Sequence, residues 1–229
     1  MTYILNIETA TKVCSVSVSK NGADFLVKEF ESESFSHSEK LNVFIEEMLA
    51  DSAITLNNLD AVAVSAGPGS YTGLRIGSSS AKGLCFALDI PFISVNTMQA
   101  MTNYVRRAHP DFDIYIPMID ARRMEVYASI FNSGGEMIRE VKAEILEAGM
   151  YDEYISGKQQ VLVFGNGAEK SKEIFDSQNV QFNINTNVSA LGMNQIAYDK
   201  YQQKRFEDLA YFEPNYLKDF IAGKPKKLL

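Results

Sequence analysis

The densest potential chemistry in the sequence is the run Gly67–Gly77, GPGSYTGLRIG. Gly67, Gly69 and Gly73 permit tight turning and close backbone approach, and Pro68 stiffens the entry. Ser70, Tyr71 and Thr72 supply hydroxyls, and Arg75 falls in the first turn of the helix expected from about Leu74 to Leu88. Helix N-termini attract anions, so one reading is a phosphate or carboxylate contact. The other is a structural corner that lets the helix pack closely through Gly77, Ala81, Leu84, Cys85 and Leu88. Elsewhere reactive groups are sparse. Cys14 and Cys85 are far apart and in no CxxC, which predicts buried free thiols in a reducing compartment. Cys85 sits mid-helix and reads as core rather than nucleophile. The histidines, His37 and His109, lie in separate segments and read as solvated loop residues. No GxSxG occurs, so a hydrolase lacks a nucleophile–base pair. Glu29, Glu31, Glu33, Glu46 and Glu47 read as solvated faces.

The elements that must position these residues follow from periodicity. Tyr3–Ile7 is a compact apolar strand, Cys14–Ser19 alternates, Asn21-Gly22 is a hairpin turn, and Asp24–Phe30 returns. Ser36 and Glu39 form a capping-box pattern before a helix whose stripe is Leu41, Phe44, Ile45, Met48 and Leu49. Ala61–Ala66 is a strand, then come the glycine run and its helix, the strand Phe92–Val95, and a helix capped by Thr97 that stops before Pro110. Strands at Ile114–Ile119, Met124–Phe131 and Met137–Lys142 begin the pattern again. A helix near Glu147–Ser156, the strand Val161–Phe164, a helix over Ala168–Asp176, the strand Val180–Ile184 and a long helix from Ser189 complete it. The fold class is α/β, with βββαβαβα occurring twice.

The 229 residues are 46% hydrophobic and 22% charged, ordinary for a folded protein with a sizeable core. With 29 acidic against 22 basic residues, the chain is poorly suited to holding nucleic acid by itself. The pairs Arg106-Arg107 and Arg122-Arg123 and the tail Lys224-Pro225-Lys226-Lys227 are local and read as solvated. The N-terminus has no signal-peptide pattern, and no apolar run reaches the ~18–20 residues of a bilayer span, so a cytoplasmic location without membrane contact is expected.

A three-strand meander followed by αβαβα, doubled, resembles the actin/sugar kinase/Hsp70 superfamily. It places one lobe at 1–108 and the other at 109–229, with the last helix or tail crossing back on the first. The resemblance implies ATP between lobes, phosphates on the first hairpin of each half, and metal on an acid after each first strand. Glu8 and Asp120 occupy those acid positions. Yet the turn Thr9-Ala10-Thr11-Lys12 has no glycine, and Ala121-Arg122-Arg123 carries bulky cations where amides must converge on an anion. Gly165-Asn166-Gly167 falls where an adenosine loop would sit, but reads as a strand-end turn.

GPGSYTGLRIG, with IETATKVCSVSV at the start, DARRMEVYASIF at 120–131 and EPNYLKDF at 213–220, resembles the bacterial TsaB (YeaZ) family over essentially the whole chain. The usual family opening, roughly IDTS, reads Ile7-Glu8-Thr9-Ala10 here. The resemblance implies an accessory, noncatalytic subunit for threonylcarbamoylation of the adenosine beside the anticodon of ANN-decoding tRNAs. It implies a TsaD-type catalytic partner, a TsaE-type ATPase partner, tRNA contact only through the complex, and a homodimer when alone. The sister TsaD subunit carries a His-x-x-x-His metal motif where this chain has Thr97 and Met101, a hydroxyl and a thioether that cannot clamp a hard ion. No metal and no resident cofactor are therefore expected, although a nucleotide at the subunit junction stays open. The partner interface is expected on the two helices carrying Leu41, Phe44, Ile45, Met48, Leu74, Ile76, Gly77 and Ala81. The Gly67–Gly77 run then becomes the corner that positions the second helix, with Arg75 as its candidate ligand contact. The alternative is an ATPase or phosphotransferase using Glu8, Asp120 and the Gly165–Gly167 loop.

Overall fold

The computed structural model describes residues 1–31, 37–52, 54–175 and 177–218. Strands β1 (Tyr3–Glu8), β2 (Val13–Lys20) and β3 (Ala23–Glu31) form an antiparallel meander. Its β2–β3 turn uses Asn21 and Gly22 at φ 52° and 82°, the left-handed pair that matches strand twist. Helix α1 (His37–Ala50), β4 (Ala61–Ser65), α2 (Tyr71–Leu88), β5 (Phe92–Val95) and α3 (Thr97–Ala108) complete the first half. The sheet order is β3-β2-β1-β4-β5, with β1, β4 and β5 parallel. The second half repeats that plan with β6 (Ile114–Asp120), β7 (Glu125–Asn132), β8 (Met137–Ile145), β9 (Val161–Phe164) and β10 (Val180–Asn183), in the order β10-β9-β6-β7-β8. The strand plan expected from the sequence thus occurs in both halves.

The helices of the second half depart from expectation. The helix expected over Glu147–Ser156 shrinks to α4 (Asp152–Ile155), because Gly149 at φ 81° interrupts the turn before it. Tyr151 is buried there, donating from its hydroxyl to Glu144 Oε2 at 2.6 Å, while Arg139 pairs with the same carboxylate. The helix expected over Ala168–Asp176 is a 3₁₀ turn, Ala168–Ser171, in which the Ser171 hydroxyl returns to the Ala168 carbonyl at 2.7 Å and competes with the helical ladder. Asp176 lies outside the described residues, as does Ser36 of the expected capping box. The long helix from Ser189 is a 3₁₀ turn, Ala190–Met193, running into α5 (Asn194–Gln202). Ser189 caps it, accepting from Leu191 N–H. Asn96, not Thr97, caps α3, accepting from Gln99 N–H at 3.1 Å.

Alternation along β2 decides how the halves meet. Cys14, Val16 and Val18 face α1 and α2, where they join Leu5, Ile7, Leu41, Ile45 and Met48 in one core. Ser15, Ser17 and Ser19 face the other way and are fully buried, as is Asn6 on β1. Residues 189–194, from the far end of the chain, cover this polar row. Asn194 Oδ1 accepts from Ser17 Oγ at 2.7 Å and Asn6 Nδ2 at 2.9 Å, and its amide donates to Asp24 at 2.8 Å. Ser15 and Ser189 both donate to Glu29, which is thus part of the junction rather than a purely solvated carboxylate. Beside this seam Ile4, Ala63, Ile93 and Val95 pack on Ala100, Met193 and Ala197. Helix α3 turns Met98, Met101 and Val105 toward Tyr115, Phe131 and Phe164 of the second sheet. Among the described residues no helix is long and apolar enough to cross a membrane.

Removing a buried multidentate acceptor strands its donors. Asn194→Ala is therefore expected to cost about 2–4 kcal/mol in urea unfolding. Adding Ser17→Ala to it should cost less than the sum of the single changes, because the hydroxyl has already lost its partner.

Candidate functional site

The glycine run is a packing corner. Ser70 caps α2, accepting from Gly73 N–H at 3.2 Å, so the helix starts at Tyr71 and not near Leu74. Gly69, Gly73 and Gly77 recur every four residues and face the β1–β2 turn. A Cβ at Gly69 would overlap Ala10, and one at Gly73 or Gly77 would overlap the Thr9 carbonyl or hydroxyl. This close approach lets Thr9 Oγ1 donate to the Gly73 carbonyl at 2.8 Å and Ser70 N–H donate to Ala10 O at 2.6 Å. The Ser70 and Gly73 amides an anion would require are thereby committed. Gly67, at φ 95°, backs onto the carbonyl of Asn215, and the Gly67–Pro68 bond is cis. Arg75 is exposed on α2 and donates to the Tyr71 hydroxyl at 2.8 Å. Thr72 is exposed beside it.

Thr97 and Met101, where the resemblance to the sister subunit set a histidine pair, do structural work. Thr97 Oγ1 accepts from Gly67 N–H at 3.1 Å, tying α3 to the glycine corner. Met101 is buried and packs where a side chain on Gly165 would otherwise be. Gly165, at φ 101°, and Gly167 each back onto the end of β6, so that loop is a strand-end turn. Asn166 Oδ1 accepts from Asp120 N–H at 2.9 Å. Among the described residues no cluster of three or more His, Cys, Asp or Glu side chains is assembled.

Glu8 and Asp120 are symmetric in the topology but opposite in environment. Asp120 is exposed and paired with Lys170 at 2.6 Å. Glu8 is sealed, with Oε1 accepting from Ala10 N–H at 2.6 Å and Oε2 without a partner among the described residues. Desolvation raises its pKa from the ordinary 4.5 to about 7, against the lowering effect of the Ala10 amide. Burial likewise pushes the Cys14 and Cys85 thiols up to about 11, consistent with inert core cysteines. His37 is a correction: it is buried, not solvated, with Nε2 2.8 Å from Thr11 O. His109 is half-buried, 3.4 Å from the Asn183 amide.

A cavity of about 620 Å³ opens between the halves, with Lys12, Gly69 and Thr72 from one side and Asp120, Arg122 and Asn166 from the other. Residues 205–218 form a strap along its edge. Glu207 N–H donates to Phe92 O at 2.9 Å, and Lys82 reaches Phe212 O at 2.7 Å. Asn215 N–H then donates to Ala66 O at 2.7 Å, Tyr216 packs on Tyr71 with ring centroids 4.8 Å apart, and Lys218 pairs with Glu125 of β7. The 213–220 motif thus ties the glycine corner to the second half, with Asp219 and Phe220 outside the described residues.

The expected interface residues divide by burial. Leu41, Ile45, Met48, Leu74, Gly77 and Ala81 are buried in the chain's own core, where they cover its sheet. Phe44 and Ile76 are half-buried at the margin. The outward arc of the same helices presents Val43, 42% exposed, and Phe86, 82% exposed. Gly83 has open space above it, and Ser79 and Ala87 are exposed alongside. A groove of about 320 Å³ between α1 and α2 is lined by Leu41, Asn42, Ile76, Ser79 and Ser80. Phe86 was legible as the apolar residue that does not fit the Gly77–Ala81–Cys85 stripe.

The family described as "TsaD: tRNA N6-adenosine threonylcarbamoyltransferase" matches residues 31–228. The "tRNA threonylcarbamoyladenosine biosynthesis protein TsaB" of Haemophilus influenzae is 29% identical, covering 96% of this chain and 95% of its own. The protein of the same name from Buchnera aphidicola subsp. Baizongia pistaciae is 31% identical, covering 94% of this chain and 98% of its own. This chain belongs to the TsaB (YeaZ) family. The solved structure "YeaZ from Pseudomonas aeruginosa" superposes with a TM-score of 0.81 at 23% identity, over 95% of this chain and 100% of that one, a likeness of fold. Membership in the TsaB family accords with the glycine corner, the β6–β7 hairpin and the strap, the segments on which the sequence resemblance stood.

Gly73→Ala is expected to destabilise by about 3 kcal/mol or more, since the clash is with backbone, whereas Gly83→Ala, in open space, should leave urea stability unchanged or slightly raised. Glu8 predicts a pH effect of defined sign. The native state holds this proton more tightly than the unfolded chain, so the contribution of Glu8 to stability is fully present below pH 4.5 and is lost as pH rises through about 7. The loss is about 3 kcal/mol. Glu8→Gln should flatten that part of the stability–pH curve.

Proposed function

We propose that this chain is a noncatalytic subunit of the machinery that places threonylcarbamoyl on the adenosine beside the anticodon of ANN-decoding tRNAs. Its role is to dock a TsaD-type catalytic subunit on the outward arc of α1 and α2 and support that subunit's active conformation. The observation that carries this reading is Phe86, a phenylalanine 82% exposed on a regular helix and flanked by the open Gly83. A large apolar side chain held in water beside small residues suits a facing helix. The family name of its relatives supports the pathway. The noncatalytic assignment draws on the sealed Glu8, the inert thiols, and the structural work of Thr97 and Met101.

The catalytic subunit brings the reacting centre, the TsaE-type ATPase joins the assembly, and tRNA is held only by the complex. Without the TsaD-type partner, the same arc pairs two copies of this chain. No resident cofactor is needed for this role, and any nucleotide belongs to the junction with the partner. A self-sufficient ATPase has weaker support, because Glu8 does not line the cavity between the halves and Asp120 is neutralised by Lys170.

Phe86→Asp is expected to weaken association with the TsaD-type subunit by about 2 kcal/mol or more, roughly 30-fold, and to lower tRNA modification in a reconstituted reaction. Its unfolding midpoint should stay near that of the wild type, since the side chain contributes little to the core. Intact co-elution and modification with this variant would sink the interface assignment. Leu74 is the wrong position for such a test, because a charge there disrupts the core itself.

A further inference from the structure

The β6–β7 turn is the surface feature that neither the fold nor the docking face explains. Arg122 and Arg123 are exposed, and both adopt left-handed backbone, with φ 75° and 51°. The turn closes through Glu125 N–H to Arg122 O and Ala121 N–H to Glu125 O, each 3.1 Å. Asparagine and glycine adopt left-handed backbone more readily than arginine, because a Cβ in this conformation crowds the following carbonyl. Arginine at both positions gains no compensating contact. Among the described residues neither guanidinium has a hydrogen-bond or ion-pair partner.

Asp120 Oδ1 accepts from Arg122 N–H and Lys170 Nζ, each at 2.6 Å, and Glu125 is paired with Lys218. The nearby carboxylates are thus neutralised by lysines, leaving the arginines uncompensated in a chain whose formal charge is −7. Lys12, on the β1–β2 turn, lines the same cavity mouth as Arg122 and is likewise exposed and unpaired among the described residues. Arg123 lies outside that lining, so the cationic set runs from the mouth onto open surface. An enclosed small anion would call for convergence, whereas a strip of separated, solvent-facing cations suits successive phosphates of a polymer.

We infer that Lys12, Arg122 and Arg123 form a phosphate-contacting rim for the tRNA backbone in the assembled complex. This rests on the subunit reading above. Tyr71 and Thr72, at the start of α2, line the same cavity mouth, which puts the rim beside the docking helix. In the proposed arrangement the tRNA held by the partner lies across this rim. The contact is electrostatic and positioning, without base readout, and it is too small to hold tRNA on this acidic chain alone.

The test uses the complex of the full chain with the TsaD-type subunit, titrated with a fluorescently labelled ANN-decoding tRNA from about 50 to about 200 mM salt. R122A/R123A should leave subunit association intact, weaken tRNA binding roughly 10- to 100-fold near 0.1 M salt, and reduce the slope of log K against log salt by about 1.5–2. K12A should remove about 1 more. R122K/R123K should retain most of the slope. R122N/R123G is the discriminating variant, because it should raise the unfolding midpoint of the isolated chain while still losing the tRNA contact. A merely structural turn would gain stability and leave RNA binding untouched. An unchanged slope in a complex that forms normally overturns the rim and leaves the subunit reading standing. Failure of the wild-type chain to associate with the TsaD-type subunit or support modification overturns both. If ATP instead binds the isolated chain through these cations and tRNA affinity does not depend on them, the rim serves a small polyphosphate and the RNA assignment is wrong.

Discussion

The structure depends on the burial of a polar row. A strand that alternates valine and serine ordinarily turns its serines to water, but here Ser15, Ser17, Ser19 and Asn6 are sealed from solvent. Burying hydroxyls and amides without partners costs more than the neighbouring apolar contacts return, so the covering segment must supply matched groups. Residues 189–194 do so, through Ser189 and above all Asn194, whose side chain meets three strands of the first sheet at Asn6, Ser17 and Asp24. That match fixes the end of the chain on the beginning. It also seats α5 against α3, because Met193, Ala197 and Ala100 pack together beside it.

On the opposite face of the same sheet the constraint is steric. The glycines of α2 let it settle on the Thr9–Ala10 backbone, which turns Gly77, Ala81 and Cys85 inward. A helix seated so closely has little freedom to rotate, and its outward arc is correspondingly fixed. Phe86 and Gly83 are therefore held in fixed positions on that arc, which would limit the entropy lost in the docking proposed above. The strap reinforces this seat by holding the glycine corner through Asn215 and joining it to β7 through Lys218.

The acids after β1 and β6 and two residues of α3 are all engaged in internal contacts. Glu8 closes a backbone turn, and Asp120 anchors Lys170 and the Arg122 amide. Thr97 ties two elements together and Met101 fills space. Each of these four residues thus has a structural role in the described chain.

Sequence alone determined the strands, the doubled topology and the family, because these rest on local periodicity, turn chemistry and a dense glycine motif. Cys14, Val16 and Val18 had to share a face, and Asn21-Gly22 had to turn. Sequence did not determine which apolar residues were available to a partner. Leu41 and Leu74 read as well for an interface as for a core, and only the packing of α1 and α2 on their sheet buried them and left Phe86 out. The short helices of the second half were hidden for the same reason, since Gly149 and the Ser171 hydroxyl outweigh propensity only in their local setting. The partner of the serine row lies 175 residues away for Ser15 and 177 for Ser17, and no periodicity reaches that far. The Gly67–Gly77 run was the most legible feature, but whether its amides faced an anion or a neighbouring strand turn was decided by the approach of Thr9 and Ala10.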